Sequence, residues 1–129
     1  MKKQVLVIED DEAIRDVVLM FLEWEGYEVI TAEDGIDGFK KLEDIIPDLI
    51  LLDLLMPRMD GYEFIKLLRR RQGKLTSIPV IAFTANTQAH TDIDQVEFTD
   101  LIPKPFHLED LLKKISTFCD IPHAVHVLQ

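Results

Sequence analysis

A doubly wound, five-stranded parallel α/β sheet in the strand order 2-1-3-4-5 is the fold class that this 129-residue sequence predicts. Three observations point to it. Short apolar runs alternate five times with helical patterns, the signature of successive right-handed β-α units. Three of those runs are nearly continuous rather than alternating, as expected of parallel strands buried on both faces. The last run ends in Pro103, which cannot donate to a ladder and so belongs on an edge strand, where this order puts the fifth.

The strand segments are QVLVI (4–8), YEVIT (27–31), DLILL (48–52), IPVIAF (78–83) and DLIP (100–103), each of strand length and composition. Helical segments fall near 11–25, 34–44, 60–72, 87–97 and 106–118. In the first, Ile14, Val17, Val18, Phe21 and Leu22 carry the i, i+3, i+4, i+7, i+8 spacing of a core face. A second apolar line, Ala13, Met20 and Trp24, lies about 100° round the helix and either widens the buried stripe or forms a partner-docking strip. The basic cluster Arg69–Lys74 reads as a helix C-terminus, where cations meet the negative end of the dipole and a glycine stops the helix. The segment 87–97 is rich in Thr, Asn, Asp and His, poor helix formers, and is expected to be short or frayed. The last segment has a strong apolar pattern in Phe106, Leu108, Leu111, Leu112, Ile115 and Phe118.

Composition bounds the function. One domain of this size buries roughly 65–70% of its unfolded surface, and the 47% hydrophobic fraction supports a packed core. We expect one domain over residues 1–120 and a tail or linker start over 121–129. No run reaches the length of a membrane span, and no signal peptide is visible. Cys119 is the single cysteine, which suits a reducing, cytoplasmic location. Twenty-four acidic against 14 basic residues give a net charge of −10, which opposes binding of nucleic acid or anionic membrane by this chain.

Ligands in open α/β sheets bind beyond the carboxyl ends of the strands. Glu9 and Asp10 follow the first apolar run, Asp53 the third, Thr84 and Ala85 the fourth, and Lys104 the fifth. Singly, each has a plain explanation, such as capping for Asp10. Asp53 resists one, because the run Leu49–Leu52 delivers it from the interior, and a lone buried carboxylate is costly. Carboxylates about 4 Å apart repel by about 4 kcal/mol at an effective dielectric near 20, so the three acids need a counterion. Hard oxygen donors on an open side suit Mg2+, and no Cys/His cluster favours zinc. One carboxylate then stays free to attack phosphorus, with Lys104 and Thr84 holding the equatorial oxygens.

The motifs VLVIEDDEAIR, LILLDLLMPRMDG, FTA and IPKPF occur in order between about Gln4 and Phe118. In this the sequence resembles the receiver domains of two-component response regulators, including the stand-alone chemotaxis regulator, and so a flavodoxin-like fold. The resemblance implies that Asp53 is the phosphoacceptor for a phosphohistidine on a kinase or phosphotransfer protein. Glu9, Asp10, Asp53 and the backbone carbonyl of Leu55 would hold Mg2+, with Asp10 the direct ligand of the acidic pair and Glu9 acting largely through water. Thr84, Lys104 and the Ala85 amide would bind the phosphoryl group, and the Lys104–Pro105 bond is a candidate for cis. The output would be a changed surface on the 87–97 helix, the fifth strand and the last helix. Such a domain is a regulatory phosphoacceptor that catalyses only its own phosphorylation and dephosphorylation, as a monomer or weak phosphorylation-dependent dimer.

Four departures stand out. Glu9 replaces the commoner aspartate, Leu101 occupies the place of the aromatic switch, the Thr84–Lys104 interval is slightly short, and 87–97 is polar. They shift the expected output toward ordering of 87–97. Leu55 and Asn86 occupy the positions that tune dephosphorylation in the family. Two other readings compete. A phosphorylation-independent pseudo-receiver would have lost the acidic pair, Asp53 or Lys104, and all are present. A haloacid-dehalogenase-type hydrolase needs a second acid where Leu55 stands.

Overall fold

Every side chain from Val5 to Ile8 and from Leu49 to Asp53 is buried, which is why these strands read as unbroken apolar runs. The computed structural model describes residues 2–71, 73–84 and 98–119. Within them the strands are β1 (Gln4–Ile8), β2 (Glu28–Ala32), β3 (Leu49–Asp53), β4 (Val80–Thr84) and β5 (Asp100–Pro103). The helices are α1 (Glu12–Trp24), α2 (Gly35–Leu42), α3 (Gly61–Arg69) and α4 (Leu108–Phe118). All strand pairs are parallel and the order is β2-β1-β3-β4-β5, the order predicted, with the Pro103 strand at the edge. The predicted helix over 87–97, with Ala85, Asn86 and the tail, lies outside the described residues.

Alternation along each strand splits the interior into two layers. Leu6, Ile8, Ile50, Leu52, Val80 and Ala82 face one core with Phe64, Ile65 and Leu68 of α3. Val5, Val7, Leu49, Leu51, Ile81 and Phe83 face the other, with Val18 and Leu22 of α1 and Leu111 and Ile115 of α4. The Tyr27 hydroxyl donates to the Cys119 carbonyl at 3.0 Å and ties the start of β2 to the end of α4.

Three expectations are corrected. Val17 is not a core residue of α1: it is 51% exposed, with Met20 at 70% and Trp24 at 68%. At about 100° per residue, Val17 falls with Ala13, Met20 and Trp24 on one line, while Ile14, Val18, Phe21 and Leu22 meet the sheet. That line is exposed and does not widen the buried stripe. Phe118 sits at the border of its helix's apolar face, 38% exposed. The basic cluster does begin at a helix C-terminus, with Arg69 in the last turn of α3, but no glycine stops that helix. α3 closes at Arg70, and a 3-10 turn follows over Gly73–Ser77. The Arg69 guanidinium donates to the carbonyls of Thr76 (3.0 Å) and Ile78 (2.8 Å), so this cation folds the connection back rather than pointing into solvent. No described helix is long and apolar enough to cross a membrane.

Candidate functional site

The sheet topology sets β1 and β3 side by side and β3 against β4, which gathers their carboxyl ends into one mouth. β3 runs one residue further than the apolar pattern alone indicates, so Asp53 is its last residue, paired in register with Phe83. A close approach fixes the chain beyond it. A Cβ at Gly61 would lie 2.6 Å from the Leu54 Cα and 2.8 Å from the Asp53 carbonyl oxygen. Glycine therefore lets the start of α3 press on the backbone of the site. The Gly61 N–H donates to the Leu54 carbonyl at 3.0 Å, and Asp60 caps the helix through the Glu63 N–H at 2.8 Å.

Carboxylate oxygens of Glu9, Asp10 and Asp53 all lie within 4.8 Å of one another. Glu9 and Asp53 are buried at 0% and 3% exposure, whereas Asp10 is exposed and closes the open side. The Lys104 ammonium reaches in from the loop after β5, 3.1 Å from Glu9 Oε2 and 3.5 Å from Asp53 Oδ2. It also lies 5.0 Å from the centroid of the Phe83 ring, whose face favours a cation. The Lys104 N–H donates to the Thr84 carbonyl at 2.8 Å, which holds the lysine loop to β4. Thr84 is itself buried at the end of β4, and the Lys104–Pro105 bond is cis, as expected.

One ammonium does not balance three acids. Burial first, and the Glu9 charge second, push the Asp53 carboxyl from 3.8 up to about 7, against the downward pull of Lys104 and the Leu55 N–H. That N–H donates to Asp53 Oδ1 at 3.2 Å. A hard, all-oxygen cluster with surplus negative charge and one exposed member fits a small divalent cation such as Mg2+.

The remaining expected positions divide. Leu55 is 51% exposed beside the mouth, while Leu101 is 7% exposed and packed in the α3-side core. Ala85 and Asn86 lie outside the described residues. Asp11, next to the acidic pair, caps α1 through the Ile14 N–H at 3.2 Å. Three features were missed in the sequence. Phe83 underlies Lys104, and strand alternation next to Thr84 was the available signal. Arg58, at φ 67°, pairs with the buried Asp34 of the loop before α2, a contact with no local pattern. A largely apolar groove of about 490 Å3, lined by Ala13, Ile14, Val17, Pro105, Phe106 and Leu108, opens beside Lys104.

Residues 5–116 match the family described as the response regulator receiver domain. The chain belongs to that family. As a receiver it is a regulatory domain, and its general function is phosphorylation-dependent two-component signalling. The DNA-binding dual master transcriptional regulator RpaA of Synechocystis is 39% identical over 114 residues, 87% of this chain and 47% of RpaA. The receiver thus spans about half the length of such curated relatives. The chemotaxis response regulator CheY4 of Vibrio cholerae matches at a TM-score of 0.85 and 33% identity, over 92% of this chain and 99% of CheY4. The response regulator TrrA of Thermotoga maritima, solved with Mg2+ and BeF, matches at 0.81 and 29% identity, over 90% of this chain and 98% of TrrA.

Proposed function

We propose that Asp53 is the phosphoacceptor of this receiver and takes its phosphoryl group from a phosphohistidine on a partner kinase or phosphotransfer protein. The observation that carries this is the meeting of Asp53 with Lys104 at 3.5 Å and with the carboxylates of Glu9 and Asp10. A carboxylate oxygen of Asp53 attacks phosphorus, the P–N bond to the imidazole breaks, and the electron pair leaves with the ring nitrogen. Asp10, Asp53 and the Leu55 carbonyl would hold Mg2+, with Glu9 acting largely through water. When bound, the ion neutralises the acids and the charge on the transferring phosphoryl oxygens. Lys104 is seated to meet one of those oxygens, and Thr84 and the Ala85 amide would bind the others. Leu55, half exposed at the mouth, shields the phosphoryl group, while Asn86 places water. The exposed line Ala13, Met20 and Trp24 on α1 supports docking of the phosphohistidine partner. The receiver proper is residues 1–120, and 121–129 form a tail or linker. Its output is carried by ordering of 87–97, because Leu101 lacks the ring of an aromatic switch.

The test is intact-protein mass after incubation with acetyl phosphate and Mg2+. A single phosphoryl adduct is expected in the native chain, dependent on Mg2+ and absent from Asp53→Asn. An adduct that persists in Asp53→Asn would overturn the assignment. A native chain without one, beside a receiver that labels, would favour the phosphorylation-independent module.

A further inference from the structure

Strand alternation puts the acceptor and an aromatic ring on one face of the sheet. Asp53 continues the line Leu49 and Leu51, and Phe83 continues Ile81, toward the side covered by α1 and α4. The two residues are paired in register across β3 and β4, so carboxylate and ring are neighbours there. Lys104 comes between them. Its ammonium lies 3.5 Å from Asp53 Oδ2 and 5.0 Å from the centroid of the Phe83 ring. The ring itself is held. It is buried in the core, and Phe106, two residues past the lysine, packs edge-on against it at 5.7 Å and 71°. The lysine loop thus closes on Phe83 twice, through an ammonium and through a second ring. Val5, Val7, Leu49, Leu51 and Ile81 fill the same sheet face with aliphatic side chains. A phenylalanine stands at the strand end where a cation meets it, and what it adds to an aliphatic filler is the negative face of its π-system.

We propose that Phe83 is a positioning residue for phosphoryl transfer, its ring face holding the Lys104 ammonium beside the acceptor. A carboxylate holds an ammonium by cancelling its charge, whereas a ring attracts it and carries no charge of its own. The ring therefore adds a hold on Lys104 that leaves its charge for an arriving phosphoryl oxygen. The lysine side chain is 17% exposed, so it has a way out to water. Without the pull of the ring a share of the molecules carries it turned outward, and the reaction slows in proportion to the share that stays inward. The proposal rests on the reading of Asp53 as phosphoacceptor and Lys104 as its cation.

Replacement of Phe83 in the full chain by mono-, di- and trifluorinated phenylalanine tests it. Fluorine keeps the shape and apolar character of the ring while draining its negative face. With acetyl phosphate and Mg2+, the rate of adduct formation should fall stepwise along the series, by about tenfold in all. Equal rates throughout would reduce Phe83 to packing and overturn the proposal. The same proteins are melted in chelator, each with Lys104 and with Lys104→Met. Along the series Tm should fall by about 3 °C where the lysine is present and by less than about 1 °C where it is replaced. A parallel fall in both backgrounds would mean that fluorine disturbs the packing rather than the cation, and would overturn the proposal as well. The melts need neither metal nor phosphoryl donor. A native chain that takes up no phosphoryl group therefore fails the reading of Asp53, while the melts still decide whether the ring holds the lysine.

Discussion

Asp34 and Asp53 are the two aspartates buried almost completely among the described residues, at 1% and 3% exposure, yet their surroundings are opposite. Asp34 Oδ1 accepts the Asp37 N–H at 2.8 Å as the cap of α2, and its other oxygen meets the Arg58 guanidinium. Asp53 has one backbone donor at 3.2 Å, an ammonium it shares with Glu9, and two acids beside it. The first carboxylate caps a helix through one oxygen and faces a guanidinium with the other, and so stabilises a helix terminus. The second is left electrostatically short, which supports the proposal that it accepts a cation and a phosphoryl group. Burial alone does not mark a functional acid. The balance of partners does.

The largest effect expected of the Asp53 surroundings is its response to pH without metal. The Asp53 carboxyl titrates near 3.8 outside the fold and near 7 within it. Between those values the folded chain holds a proton that the unfolded chain has released. The stability fully present below pH 3.8 is therefore lost as pH rises through about 7. In chelator, thermal melts should show a native chain less stable at pH 8 than at pH 5, relative to Asp53→Asn, by on the order of 2 kcal/mol. Parallel curves for the two proteins would sink this. Mg2+ at pH 8 should recover most of the difference, because a ligand that binds only the folded state stabilises it.

Asp34→Ala should cost less, about 1–2 kcal/mol in urea denaturation, the value of a helix cap with a half-exposed partner. The loss should be the same with and without Mg2+, and the phosphoryl adduct should persist. An adduct lost along with stability would mean that the Asp34–Arg58 contact holds the loop after β3 in its working shape.

Much of this was legible in the sequence because it is local. β1 and β5 fall on their apolar runs, and the run through Leu52 delivers Asp53 to the mouth. Period 2 and period 3.6 operate over a few residues, so they survive without knowledge of the fold. The pairing of Glu9 with Lys104 does not, since 95 residues separate the two and only strand order brings them together. The same holds for Arg58 on Asp34 and for Arg69 on the Ile78 carbonyl, where a long flexible side chain finds a distant acceptor. Val17 shows the limit even of a local pattern. Its i+3 spacing from Ile14 suits a core face, but i+3 is also the step that carries a helix position toward the next stripe. Only packing against the sheet decides which stripe is buried.

That division of α1 makes the smallest prediction the most discriminating one for its two faces. A tryptophan in a core loses about 3–5 kcal/mol when cut to alanine, since both its transfer energy and a cavity are lost. Trp24 is 68% exposed, and Leu22, two residues away, is fully buried. Trp24→Ala should therefore change unfolding free energy by no more than about 0.5 kcal/mol, while Leu22→Ala should cost about 2–5 kcal/mol. Urea titrations of the two variants measure both. If Trp24→Ala proves as costly as Leu22→Ala, the indole is covered in the free protein and cannot belong to an open docking strip. If it is silent, a large aromatic side chain stands in water on a helix whose opposite face already closes the core. Stability then gives no reason for a tryptophan there, which supports the proposed docking of a partner on Ala13, Met20 and Trp24.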